Sequence, residues 1–518
     1  MPRLPVLSPD QAAEWDARAV SGGIALATLM DNAGRAAAAV LAARWPDAAR
    51  SGTLVVAGPG NNGGDGWVLA RTLHRLGVPV WVAAFPRNEG SLAAAAANLA
   101  LADGVREVSP DGPWPSVGLV VDALLGTGAR GAPRPAIAAA IERIAELRVP
   151  VLAIDGPTGV DLGNGTVHTA AVRADCSVTF GGVRRGHLLA RDEVGDVVVT
   201  DIGLPDPPAE WPTLLTDRSA AAWLPPLRSA MHKGVRGRVV VVGGAPGMSG
   251  AVRMTARAAF AAGAGLVHVV APAATTTIIA GAEPDVQTLA QSFEEPLSAG
   301  AVELLARADA VVVGPGLGRA PGRRELVRAI IAHCERVVLD ADALVVFQDA
   351  PGELRDALAG RAALLTPHPG EFRALFPECS GAREVDPWAA AESAAQSIGA
   401  AVLLKGVPSV VAAPDAPTLT VAAGNPGLAT GGSGDTLAGI AATALAQRLE
   451  PARAAAVAAQ ALGRAGDIAA RRLAPRSLRP MDVLAALPHL WREWDLLLRL
   501  PPAPRPPQLL FLEAPRRA

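Results

Sequence analysis

Residues 53–200 alternate short β-rich runs with longer Ala/Leu-rich stretches, and a second series of the same kind starts at Arg238 and runs to about Leu490. The runs Thr53–Ala57, Val78–Ala83, Leu119–Val121, Val151–Ile154 and Ser177–Phe180 read as strands. Helical stretches such as Trp67–Leu76 and Pro135–Leu147 lie between them. Parallel strands need a crossover of a dozen or more residues, usually a helix, so this alternation predicts βαβ units around a mostly parallel sheet. In the second series Arg238–Val242, Leu266–Val270, Ala310–Val313, Val337–Leu339, Ala363–Thr366 and Val402–Leu404 read the same way. The two halves show no repeated period and are expected to be unrelated domains.

The expected organisation is a first domain over 1–210 that opens with a helical arm over Pro9–Arg44. A Pro-rich linker over 211–226, a second domain over 227–500 and a disordered tail over 501–518 follow. A chain of 518 residues with 50% hydrophobic and 19% charged residues has the material for two large cores. Net charge is −2 and there is no Tyr, which argues against nucleic acids and anionic membranes as partners. Cys176, Cys334 and Cys379 are far apart and read as buried thiols of a reducing compartment. The uncharged run Ala258–Ala282 holds glycines, a Pro, a His and three consecutive threonines, so it predicts a helix, a strand and a loop rather than a membrane span. With no signal-like apolar segment at the N-terminus, a cytoplasmic location is expected.

Gly58-Pro59-Gly60-Asn61-Asn62-Gly63-Gly64-Asp65-Gly66 follows a strand and opens a helix. Its first six residues fit GxGxxG, the glycine loop that sets a phosphate at a helix N-terminus. The acid expected at the end of the next strand to hold a ribose is missing from Ala83-Ala84-Phe85-Pro86-Arg87, which weakens a redox assignment. A plain tight turn would also use these glycines, although it has no need of two Asn and an Asp. Asp122-Ala123-Leu124-Leu125-Gly126-Thr127-Gly128 and Asp155-Gly156-Pro157-Thr158-Gly159 end two further strands. Strand C-termini of a parallel sheet form the ligand crevice, so the three loops should converge. Asn62, Asp122 and Thr158 are hard oxygen donors able to share a small cation, and Asp155 is a candidate acid/base, though any one acid alone would more often cap a helix.

In the second half, Thr430-Gly431-Gly432-Ser433-Gly434-Asp435-Thr436 opens a helix over Thr436–Gln447. Glycines at a helix start expose amides as an anion hole for a transferring phosphoryl group, and an Asp there can accept a hydroxyl proton. A GxGD string could also be a cap with packing glycines. Neither a Walker loop nor a protein-kinase motif set is present.

NNGGDG, DALLGTG and DGPTG, in this order, resemble the NAD(P)H-hydrate epimerase family over residues 8–205. That resemblance implies a Rossmann-like domain in which Asn61, Asn62, Gly63, Gly64 and Asp65 contact the hydrated cofactor. It adds Gly126, Thr127, Gly128, Ala129, Arg130, Gly131, Ala132 and Asp155 to those contacts, and makes Asn62, Asp122 and Thr158 ligands of K+. Residues 224–492 resemble the ribokinase-like superfamily and, within it, the NAD(P)H-hydrate dehydratase family, through HKG…GGAPGMSGA, GPGLGR, DADAL, TPHPGE and GGSGDTLAG. Here Ala251, Gly316, His368 and Asp435 would touch the hydrated nucleotide. Lys405, Gly406, Val407, Pro408, Ser409 and Gly434 would hold ADP or ATP with Mg2+. Val345 and Ser409 stand where that family often has Asn and Thr. The implied chain is an α/β two-domain enzyme, expected as a homo-oligomer, that repairs hydrated NADH and NADPH, with Asp155 and Asp435 as its catalytic residues. A vitamin or sugar kinase joined to a non-catalytic nucleotide-binding module is the alternative.

Overall fold

A computed structural model describes residues 3–379, 386–501 and 510–512, the last three by their backbone. The chain divides into two compact units, one of Met1–Trp211 together with the segment after Pro501, the other of Pro212–Pro501. Strands are numbered in chain order: β1 Val6–Leu7, β2 Thr53–Ala57, β3 Val80–Ala84, β4 Arg106–Val108, β5 Leu119–Ala123, β6 Val151–Ile154, β7 Cys176–Phe180, β8 Val183–Arg184 and β9 Asp196–Thr200. The second unit holds β10 Thr213–Leu214, β11 Arg238–Val242, β12 Leu266–Ala271, β13 Gln287–Ala290, β14 Ala310–Val313 and β15 Arg336–Leu339. It continues with β16 Ala362–Leu365, β17 Ala401–Leu404, β18 Ser409–Ala413 and β19 Ala416–Val421, and β20 is Leu510–Leu512.

The first unit is built on a sheet in the order β20-β9-β7-β6-β5-β2-β3-β4, parallel except for β20. Every residue of β2, β5, β6 and β7 is buried, which is what helices on both faces of a parallel sheet impose. From β2 the chain steps outward to β3 and β4, then returns to add β5, β6 and β7 on the other side. The β2/β5 boundary is therefore the switch point at which such sheets open a ligand crevice. This is the doubly wound, Rossmann-like order.

The second unit repeats that logic. Its sheet runs β10-β19-β18-β17-β16-β15-β14-β11-β12-β13, with its switch point between β11 and β14 and an antiparallel β17-β18-β19 meander toward one edge. The helices Ser249–Ala261 and Ser433–Ala446 lie against each other in its core. A Cβ added at Gly439 would stand 2.2 Å from the Thr255 carbonyl oxygen, so the close approach requires glycine. Thr443 Oγ1 donates to the Ala259 carbonyl at 3.1 Å. The pairs 255/439 and 259/443 advance together, so the two helices run parallel and their N-termini face the same end.

Several expectations need correction. The arm is two helices, Pro9–Ser21 and Leu26–Arg44, separated at Gly22-Gly23. The segment expected as a linker is folded into the second unit: β10 pairs with β19, and the helix Asp217–Trp223 is held by Gln460 and Arg464 through Asp217. Ala258–Ala282 ends in a helix, Ala273–Ala282, instead of a loop. Among the described residues no helix is long and apolar enough to cross a membrane. Leu510–Leu512, expected to be disordered, pair antiparallel with β9, while the rest of the tail beyond Pro501 lies outside the described residues. The three cysteines are buried and unbridged, and burial pushes the Cys176 and Cys334 thiols up to about 12.

Candidate active sites

In the first unit the helix expected from Trp67 begins at Asn61, so Asn61 to Asp65 form its first turn. Gly60 caps it with extended backbone and no side chain. The glycine loop is tight for a reason internal to the fold. A Cβ on Gly58 would lie 1.9 Å from the Leu124 carbonyl oxygen, and one on Gly63 would lie 2.0 Å from that of Gly58. Backbone strands at the switch point approach each other too closely for any side chain.

Three expected residues meet there. Asp122, wholly buried, accepts from the Thr158 amide at 2.7 Å, the Thr158 hydroxyl at 2.8 Å and the Leu124 amide at 3.1 Å. Burial pushes its carboxyl up to about 6 in spite of those donors. The amide oxygen and nitrogen of Asn62 are buried with no hydrogen-bond partner. A Cβ on Gly126 would lie 3.3 Å from Asn62 Oδ1 and 3.0 Å from Asp155 Oδ2, so Asn62, Gly126 and Asp155 share one wall.

Asp155 sits in left-handed backbone, φ +65°, at the end of β6. Its carboxylate accepts from the Thr127 amide at 2.6 Å and from the Thr127 hydroxyl, and forms an ion pair with Arg184 at 3.4 Å. Burial alone would raise its pKa, but the Arg184 guanidinium and the two Thr127 bonds outweigh burial and hold it below the usual carboxylate value. Asp65 goes the other way: burial, and then the negative charges of Asp155 and Asp16, keep it well above the ordinary range. The surroundings of these two carboxyls thus drive their proton affinities apart. The Gly128–Ala132 loop is mostly exposed, and Arg130 pairs with Asp10 at 3.1 Å on the surface.

In the second unit the glycine string places Asp435 at the third residue of the helix Ser433–Ala446. Gly432, φ +96°, is its uncapped N-cap, so Asp435 is not itself the cap. Ser433 Oγ is buried without a partner. Lys405 Nζ bonds Asp340 Oδ1 at 2.9 Å and lies 3.8 Å from Glu371 Oε2. A Cβ on Gly434 would be 3.4 Å from that ammonium and 3.6 Å from Asp340 Oδ2. Burial, then the charge of Asp340, pushes the Asp435 carboxyl up to about 7, with Lys405 opposing and Asp342 adding.

His368 heads the helix Pro369–Leu375: its Nδ1 accepts from the Gly370 amide at 2.9 Å, and the Glu371 carboxylate accepts from the His368 amide at 2.7 Å. A structural capping role and an exposed ring edge therefore coexist at His368. Ala251 and Gly316 meet across the β11/β14 switch point, where a Cβ on Gly316 would lie 3.3 Å from the Ala251 Cβ. In the 405–409 turn Ser409 Oγ bonds the Gly406 carbonyl at 3.2 Å, the Val407–Pro408 peptide is cis, and the Val407 side chain is largely exposed.

Sequence reasoning gave no role in the first site to Arg184 and Asp16, to Thr179, whose hydroxyl lies 3.4 Å from Asp155 Oδ1, or to His187, whose Nε2 lies 2.6 Å from the Asp155 carbonyl oxygen, nor to Asp340 and Glu371 in the second. The last two stand inside the strings DADAL and TPHPGE, which was the available signal. Nothing local marks the other four. They reach Asp155 only because β7 runs parallel beside β6 and because the first helix folds back.

Residues 26–186 match the family described as YjeF-related protein N-terminus, and residues 239–489 match NAD(P)H-hydrate dehydratase. The bifunctional NAD(P)H-hydrate repair enzyme Nnr of Escherichia coli is 36% identical over 478 residues, 90% of each chain. That of Coxiella burnetii is 35% identical over 498 residues, 93% of this chain and 97% of its own. Among solved structures, an ADP/ATP-dependent NAD(P)H-hydrate dehydratase from Bacillus subtilis co-crystallized with ATP/Mg2+ is 24% identical, with TM-score 0.46, over 54% of this chain and 97% of its own.

Proposed function

Since this chain belongs to the family of bifunctional NAD(P)H-hydrate repair enzymes, we propose that its first unit interconverts the two C6 epimers of hydrated NADH and NADPH and its second returns one of them, the S form, to the reduced cofactor. The observation that carries this reading is that one chain holds both sites, each assembled at the C-terminal ends of its own parallel strands. In the first, neutral Asp65 donates a proton to the C6 hydroxyl, which leaves as water while the ring nitrogen's lone pair forms the C6–N iminium. Asp155 then takes a proton from the water that adds to C6 on the other face, and solvent returns that proton to Asp65. In the second, the C6 oxygen attacks a terminal phosphoryl group as Asp435 accepts its proton and the nucleotide leaves one phosphate shorter; phosphate then departs from C6 with a proton from C5, which the phosphate takes, and the ring double bond is restored.

The amides at the start of the Ser433–Ala446 helix suit the transferring group, and Lys405 supplies positive charge beside them. Mg2+ with ADP or ATP supplies the electrophile there. Asp340, whose charge adds to the proton affinity of Asp435, is the residue that would hold the ion together with the phosphates. In a test, each epimer is supplied separately with Mg2+ and nucleotide, and the absorbance of the restored dihydronicotinamide is followed. Both epimers should be consumed; if only the S form disappears, the first unit is not an epimerase.

A monovalent, oxygen-liganded cation such as K+ fits the first site. The orphaned Asn62 amide oxygen, the buried Asp122 carboxylate and Thr158 form an all-oxygen set without sulfur or imidazole. The ion would supply fixed positive charge beside the cofactor's phosphates. Asp122→Ala is expected to raise the K+ concentration needed for half-maximal epimerisation by at least about 10-fold. A KCl titration at constant ionic strength in choline chloride reads this, and rates independent of K+ in the wild type would count against the site.

A further inference from the structure

The imidazole of His187 is wholly enclosed at 0% exposure, and the reaction steps above make no use of it. Its two nitrogens are both committed. The backbone N–H of Arg184 donates to Nδ1 at 3.0 Å, so that nitrogen carries a lone pair and the ring proton sits on Nε2. Nε2 lies 2.6 Å from the carbonyl oxygen of Asp155 and donates to it. Burial pushes the imidazole down to about 4, so the ring is neutral and keeps this tautomer near neutral pH. With no free valence and no exposure, His187 is neither acid nor base toward a substrate.

What it holds is unusual backbone. Asp155 has a left-handed φ of +65°, a conformation that a non-glycine residue keeps only when its surroundings over-determine it. The Asp155 amide is fixed by the Val178 carbonyl at 2.7 Å, and its carbonyl, turned away from the sheet, is taken by His187. Gly156 makes room for that contact, since a Cβ there would lie 3.1 Å from Nε2 and 2.7 Å from the Leu162 methyls. At its other edge the ring fixes Arg184, whose guanidinium meets the Asp155 carboxylate and donates to Thr127 Oγ1 at 3.0 Å and to the Gly182 carbonyl at 3.2 Å.

We infer that His187 is a positioning residue for epimerisation: one neutral imidazole ties the backbone of Asp155 to that of Arg184 and so aims the carboxylate that moves the proton. This rests on the reading that Asp155 moves that proton, and the test separates the two. In the full-length protein, His187→Asn keeps an acceptor where Nδ1 was but cannot reach the Asp155 carbonyl. His187→Gln places an amide N–H where Nε2 was and keeps that tie. Misaiming a reacting group by about 1 Å can cost about 10²-fold. The Asn variant should therefore lose roughly 10- to 100-fold in epimerisation kcat with KM within about twofold. The Gln variant should stay within about threefold of wild type.

An unchanged KM shows that the crevice is still folded, and dehydration of the S epimer should be unaffected in both variants. Equal, near-wild-type epimerisation in both overturns the positioning role, and so does an equal loss in both. Asp155→Asn run in parallel tests the underlying reading: if that variant stays active, Asp155 is not the base, whatever the His187 variants do.

Discussion

Replacing Asp435 by Asn is expected to slow dehydration about 10²–10⁴-fold, the usual worth of a positioned base, while epimerisation stays near wild type. Asp435 stands in the first turn of its helix beside the Gly432–Gly434 amides, where the phosphate must sit if those amides bind it. Asn keeps the shape and loses only the charge, whose interaction with the helix end is worth about 0.3–1 kcal/mol. Since Gly432 and not Asp435 is the N-cap, no capping bond is lost and the fold should survive. With the Asp435 carboxyl pushed up to about 7, chiefly by burial, its basic form is populated above that pH. In the wild type, kcat/KM for dehydration should therefore rise with pH through the neutral range and level off, and the variant should lose that limb. Both reactions can be followed on one preparation, with chromatography resolving the epimers. Dehydration within a few-fold of wild type would leave Asp435 as a binding contact only.

The counterpart, Asp155→Asn, is expected to lower epimerisation by a similar factor, about 10²–10⁴, and to leave dehydration of the S epimer intact. The fold should tolerate it well, because Asn is among the few side chains that accept left-handed backbone, which Asp155 occupies at φ +65°. The Asn oxygen can still accept from Thr127. Arg184 loses its ion pair yet keeps its bonds to Thr127 Oγ1 and the Gly182 carbonyl, so a modest fall in Tm is expected, not loss of the unit. Undiminished epimerisation would move the base to another carboxyl, with Asp65 the nearest candidate by charge coupling.

The central strands were legible because residues buried on both faces leave uninterrupted Val/Leu runs: Thr53–Ala57, Val151–Ile154, Arg238–Val242 and Ala310–Val313 coincide with β2, β6, β11 and β14. Edge strands were not. β4 is Arg-Glu-Val and largely exposed, and β13, with Gln287 at its start, is only partly covered, so neither carries that signature. The β18–β19 meander was missed although Pro414-Asp415 marks its turn, because an antiparallel return interrupts the βα alternation that organised the rest. In the sites, residues within glycine motifs could be named. Those brought in by neighbouring strands and helices, such as Arg184 and Asp16, could not, since their relevance to Asp155 exists only after the sheet forms.

The short strand β20 gives the gene order an unexpected meaning. The chain leaves the epimerase unit at Trp211, builds the whole dehydratase unit, and only then supplies the strand that pairs with β9. The dehydratase is thus nested within the epimerase as an insertion is within a host. During synthesis on the ribosome, the outer edge of the first sheet stays open until the residues that follow the second unit emerge. A truncation stopping before Leu510 would keep every described strand and helix of the second unit, yet would uncover β9 at the edge of the first.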